Sequence, residues 1–372
     1  VLALSVAAPL AAPWLGELRK LIEDHLGDWY VRGLALALAA VGLAAFAGAA
    51  ASIRRHRALR YTLLALALAL VTAQVLLWNR GGVRVQLVER VHLVEYGLLG
   101  FLWVEVLRHR VRDALLPVLA LLATVLVGVA DEWVQWATPV RAGDVQDALL
   151  NGWGGVIGTL FGLALVPPRR FVLRPAAPTV RAVRGLGLAV LVAAGGLVEV
   201  ANRGVVIHDP GAGTFVSAYA PGELLRARDA RSRGWSPRAP GEFRPLSFED
   251  RFLSEAGAHA AERNRAVTRG RFRLAVLENR ILERWYTPYL DLEWPGRGSN
   301  RWSSEMRRNV LEEAGPMVDR RAGTYRSKVL RWRLVPFPGS LLWGGLVLAA
   351  MAWWTAGAGL IRWLDRPINP TS

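Results

Sequence analysis

Long apolar runs alternate with short charged loops along most of this chain. A hydrocarbon layer about 30 Å thick takes roughly 20 residues of helix to cross. Residues 33–53, 61–78, 91–107, 114–130, 148–166, 185–201 and 339–361 meet or approach that length, which predicts about seven transmembrane helices. The third run is shorter and is interrupted by His92, Glu95 and Glu105. Between the sixth and seventh runs, residues 202–338 change character and become Arg-rich, mixed in charge and punctuated by Gly and Pro. The expected fold is an α-helical polytopic membrane protein with an α+β extramembrane domain between helices six and seven.

The extramembrane segment carries its own periodicities. Residues 205–208 and 214–219 read as short strands, and 327–335 alternate, with Leu330, Trp332 and Leu334 opposed to Arg331 and Arg333. Ser247 with Asp250 predicts a capping box for a helix to about Ala266. Leu274, Leu277, Ile281 and Trp285 mark a second helix that ends before Pro288, and 303–314 a third, stopped by Gly315 and Pro316. Pairing of the first and last strands would hold spans six and seven together. At the other end, Trp14, Leu15, Leu18, Leu21, Ile22, Leu26 and Trp29 recur at helical spacing opposite Arg19, Lys20, Glu23 and Asp24. Either an interfacial amphipathic helix or one packed on the outer domain fits that pattern. Residues 1–15 are apolar but broken by Pro9 and Pro13, and are expected to be the remnant of a signal or of a first helix.

Charge sets the orientation. The net charge of +16 comes almost wholly from Arg, since Lys20 and Lys328 are the only lysines. Loops 54–60, 108–113 and 167–184 are Arg-rich, whereas 131–147 is acidic with Arg141 as its one positive charge. The bias places the Arg-rich loops inside and residues 202–338 outside, so the expected location is a bacterial inner membrane with the large domain on its periplasmic face. Charge that serves topology in this way argues against a nucleic-acid partner. The absence of Cys excludes disulfides, thiol catalysis and Cys-ligated metals. The 16 Trp fit either membrane–water boundaries or a large aromatic core. Trp235, Trp294 and Trp302 sit in Gly/Pro-rich stretches and would suit a protein partner or packing within the domain.

Polar residues of three spans converge at one depth. The third span enters with Glu89, Arg90, His92 and Glu95, and the fourth leaves with Asp131, Glu132 and Gln135. The loop adds Pro139, Arg141 and Asp144, and the fifth span returns with Asp147 and Asn151. Asp147, Asn151, Gly154 and Gly158 share a helical face, and the two glycines allow a neighbouring helix to approach closely. Ionisable groups near a bilayer are functional candidates. Three readings fit this cluster: a buried ion-pair network, a site for a polar headgroup with Arg90 and Arg141 as anion partners, or a metal or catalytic site through His92, Glu95, Asp131 and Asp147. No Ser-His-Asp arrangement, HExxH or phosphate loop marks an enzyme. In the outer segment His259, Glu262, Asn264, Glu278 and Asn279 show no ligand spacing.

The run from Glu89 to Gly100, and the series Asp131, Glu132, Gln135, Pro139, Arg141, Asp144, Asp147, Asn151, Gly154 and Gly158, resemble the two signatures of the VanZ-like family. The resemblance covers roughly residues 32–166 and implies a five-helix membrane core. With the apolar and charged runs, the expected division is an apolar and amphipathic interfacial segment 1–31, the core 32–166, a cytoplasmic linker with the sixth helix 167–201, the outer domain 202–338, and the seventh helix with a cytoplasmic tail 339–372. The family is associated with low-level teicoplanin resistance, which implies an envelope protein binding a lipid-linked or glycopeptide ligand. The residues themselves favour a non-enzymatic accessory subunit, without cofactor, that docks on a larger membrane assembly such as a photosynthetic or respiratory complex. An enzyme acting on a lipid headgroup is the third expectation.

Overall fold

The computed structural model describes residues 1, 5, 21–22, 25–77, 83–137, 143–168, 170–235, 250–294, 298–316, 318, 322–331 and 333–364. The chain divides into two compact units, one of residues 1–135, 143–198 and 342–372, the other of 136–142 and 199–341. Most of the expected helix over 14–29, as well as Pro139, Arg141 and Ser247, lies outside the described residues.

The first unit is helical: α1 Asp28–Ser52, α2 Arg57–Leu77, α3 Val83–Leu107, α4 Leu116–Ala137, α5 Val145–Leu165, α6 Ala177–Leu197 and α12 Gly339–Leu364. Among the described residues, six of these are long and apolar enough to cross a membrane. The exception is α3, which has the length but carries Arg84, Glu89, Arg90, Glu95 and Glu105. Most of the helices run beyond the apolar blocks read from the sequence, because a helix continues into the polar interface while the apolar count records only its hydrocarbon part. α1 and α12 leave large apolar side chains exposed along their length, among them Leu36, Leu43, Trp343, Leu348 and Met351, as lipid-facing helices do.

The contact between α3 and α5 is made by glycine. A β-carbon on Gly158 would stand 1.8 Å from the carbonyl oxygen of Gly97, and one on Gly100 would stand 2.7 Å from that of Gly155. Backbones meet here without intervening side chains, the close approach that small residues permit between membrane helices. The Arg60 guanidinium closes the C-terminal end of α5 by donating to the carbonyls of Ala164 at 2.5 Å and Leu165 at 2.8 Å. Trp353 of α12 donates its indole N–H to the Arg184 carbonyl of α6 at 3.1 Å.

The second unit begins with a π-helical turn, Val198–Asn202, which runs into β1 Arg203–Asp209. β1 pairs antiparallel with β2 Gly213–Ser217, from Val205↔Ser217 to Asp209↔Gly213. The Asp209 carboxylate organises the hairpin turn by accepting from the Gly211 and Ala212 amides at 2.8 and 3.0 Å. β5 Val335–Pro336 joins the other edge of β1 in parallel through Arg203 and Gly204, so a short strand at the end of the segment, rather than the expected 327–335, pairs with the first. Between them lie α7 Pro221–Arg233, α8 Arg251–Thr268, α9 Phe272–Trp285, α10 Thr287–Asp291, the two-residue strands β3 Glu293–Trp294 and β4 Gly298–Ser299, and α11 Ser304–Ala314. Ser303 caps α11 by accepting from the Met306 amide at 3.1 Å. α8 is capped by Asp250 itself, which accepts from the Leu253 amide at 3.1 Å. The core packs Ile207 and Phe215 of the sheet against Phe252, Ile281, Leu282 and Tyr286 of α8 and α9.

One sequence expectation fails. The alternation over 327–335 does not build a strand; residues 329–331 turn, with Leu330 at φ +60°. Val329, Leu330 and Leu334 are nevertheless buried together with Val216 and Ala218. Apolar residues turned inward from a tight loop imitate the two-residue period of a strand.

Candidate functional site

The polar cluster occupies the ends of α3, α4 and α5. Asp144 sets its geometry from the sequence upward: an extended residue before an apolar helix, it accepts from the Gln146 and Asp147 amides at 2.7 and 3.0 Å as the N-cap of α5. Its own amide donates to Glu132 Oε2 of α4 at 3.1 Å. Glu132 is fully buried, and its other oxygen accepts from the Gln135 amide at 3.2 Å, with the Asn151 amide of α5 at 3.5 Å. Gln135 also donates to Asp131 Oδ2 at 3.1 Å, and the same oxygen accepts the Tyr96 hydroxyl of α3 at 3.0 Å. Three helices are thus joined through Tyr96, Asp131, Gln135, Glu132 and Asn151.

Gly128 on α4 makes this meeting possible. A β-carbon there would stand 2.8 Å from Asn151 Cβ and 3.4 Å from the Tyr96 ring. On the facing side, a β-carbon on Gly154 would stand 3.1 Å from the Leu93 carbonyl. The shared face of Asn151, Gly154 and Gly158 therefore does bring α5 against its neighbours.

His92 and Glu95 take another arrangement. They pair with each other one turn apart on α3, Nδ1 to Oε2 at 3.8 Å, and the imidazole stacks on Tyr96 with ring centroids 6.3 Å apart. Arg90 is half-buried on α3, and Asp147 lies half-buried in the first turn of α5. Arg141 falls outside the described residues. Among the described residues, no three His, Asp or Glu side chains gather in a way that could hold a metal ion.

These elements coincide with a known region. Residues 32–166 match the VanZ/LLP1 family model. The match spans α1 to α5, all but the first few residues of α1 included, and contains every residue of the cluster. No curated protein and no solved structure matches the chain.

Outside the VanZ/LLP1 region, the second unit holds polar groups that spacing did not single out. His259 of α8 and Glu278 of α9 are both fully buried and lie 2.6 Å apart, Nδ1 to Oε2. The other Glu278 oxygen accepts from the hydroxyls of Ser327, at 2.6 Å, and Tyr325. Burial pushes the Glu278 carboxyl up, but His259 and the two hydroxyls outweigh it and hold the group below its ordinary value. One turn before His259, Glu255 accepts from Ser217 Oγ at 2.6 Å, the Ala218 amide at 2.8 Å and Tyr286 Oη at 2.7 Å. Arg263 donates to Asn279 and to the Asn300 carbonyl, and burial pushes its guanidinium down to about 10. Every polar partner named here belongs to the domain itself, and Trp235 and Trp302 pack within it as well, under Arg231 and Arg263. The signal for the His259–Glu278 pair was its position: Glu278 occupies the apolar face defined by Leu274, Leu277 and Ile281.

Proposed function

We propose that this chain is a non-enzymatic accessory subunit of a larger membrane assembly, with seven spans, an inner-membrane location and the second unit on the periplasmic side. The observation that carries the reading is how the VanZ/LLP1 cluster is used. Its described carboxylates and amides bind a helix end and each other, linking α3, α4 and α5. Such a network fixes one packing of three helices. The exposed apolar length of α1 and α12 supports contact with lipid or with the spans of a partner. The Arg bias of loops 54–60 and 167–184 supports the orientation, and the length of α3, 25 residues, supports its counting as the seventh span.

Purification from native membranes in mild detergent, followed by mass spectrometry of the intact assembly, tests this proposal. Stoichiometric protein subunits on the chain are the expected result. A chain that leaves the membrane alone, or that turns over a lipid headgroup in vesicles, overturns it.

A further inference from the structure

Asp131 and Glu132 are adjacent carboxylates near the end of a membrane-spanning helix, 5% and 0% exposed. Among the described residues, no basic side chain pairs with either; their hydrogen-bond partners are the neutral Tyr96, Gln135 and Asn151 and the Asp144 amide. Two carboxylates removed from water without a positive partner carry a large desolvation penalty. Neutral donors offset part of that cost and leave the charge in place.

A second observation points the same way. Asn151 is fully buried, and among the described residues neither its Oδ1 nor Asp131 Oδ1 has a hydrogen-bond partner. Two buried acceptor oxygens are therefore left over on residues that belong to the carboxylate network. Further donors would satisfy the oxygens without removing the charge, whereas a cation does both.

We propose that Asp131, Glu132 and Asn151 form an oxygen-lined site for a small hard cation of the Ca²⁺ or Na⁺ kind, which ties α4 to α5 and, through Asp131 and Tyr96, to α3. Carboxylate and amide oxygens are the ligands such ions take, and flexible geometry suits them. With no Cys in the chain and His92 turned to Glu95, a softer metal has no matching donors at this place. The cation completes the helix network instead of doing chemistry, so the site is structural.

The test uses the full chain in detergent, treated with EDTA and exchanged into choline chloride. Ca²⁺, Mg²⁺ and Na⁺ are then added separately at constant ionic strength while Tm is read. A saturable rise with one of these ions is expected, because a ligand that binds the folded state alone stabilises it with increasing concentration. Glu132→Gln and Asp131→Asn, which keep shape and remove charge, should abolish the rise. Equilibrium dialysis of the parent with radioactive Ca²⁺ or Na⁺ should find one ion per chain, and this decides the matter even where a variant fails to fold. A parent that binds neither ion overturns the proposal and leaves a proton as the neutralising partner. Binding that persists unchanged in both variants also overturns it, since the ion would then sit elsewhere.

Discussion

The carbonyl oxygen of Gly97 occupies the place where a side chain on Gly158 would have to begin. Only 1.8 Å separates that oxygen from an ideal β-carbon, far inside any van der Waals contact, and the obstacle is backbone, which cannot rotate away. α3 and α5 can lie this close only because Gly158 lacks a side chain.

Gly158→Ala should therefore force the two helices apart. Overpacking of a tight core costs about 1–3 kcal/mol, and a rigid carbonyl places this case at or above the upper end. Gly185→Ala on α6, where nothing lies within 4 Å of the added carbon, serves as the comparison. Thermal melts in detergent should show a clear drop for the first and almost none for the second. Equal melting temperatures would contradict the contact.

Asp144→Ala separates cap from ligand. Loss of a side-chain N-cap costs about 1 kcal/mol, and the Gln146 and Asp147 amides lose their acceptor. Asp144→Asn, which keeps an accepting oxygen, should restore most of the stability and the amount of protein in the membrane. Failure of the Asn variant to rescue would assign the carboxylate charge a role that capping does not explain.

The second unit should weaken in acid through Glu278. Its carboxyl lies below the ordinary 4.5 in the folded protein, so the unfolded state takes up the proton first. Stability from this group is complete above the unfolded value and is lost as pH falls through the folded one. Tryptophan fluorescence of the full chain should report loosening at pH below about 4.5. Glu278→Gln should flatten that dependence, while costing about 1–3 kcal/mol at neutral pH because the buried hydroxyls of Ser327 and Tyr325 lose their charged acceptor. An unchanged acid profile in the variant would transfer the effect to another group.

Orientation is open to direct chemistry, since the chain has no Cys. Single substitutions Arg55→Cys and Arg170→Cys should resist an impermeant maleimide in intact cells, and Asp229→Cys should react. All three positions are exposed. The inverse pattern would place the second unit inside.

The spans were legible because a bilayer demands length and apolarity in one stretch, and both are written linearly. Helix faces carried the next level: the spacing of Asn151, Gly154 and Gly158 located a real contact. Tyr96 escaped notice because its hydroxyl acts across to Asp131, and nothing near it in sequence marks a tyrosine inside an apolar run as a hub. Leu330 and Leu334 misled because a turn buries Val329, Leu330 and Leu334 together, so apolar residues there did not mark a strand face. His259 and Glu278 lie on separate helices, and only the packing of α8 on α9 makes them partners.

Arg203 pairs with Val335, and Gly204 with Pro336. Neighbouring strands lie about 4.8 Å apart, so the long segment 203–336 begins and ends side by side. A segment with adjoining ends behaves as a cassette: it can be cut out and its stubs rejoined by a short linker, leaving α6 and α12 connected as a plain helical hairpin.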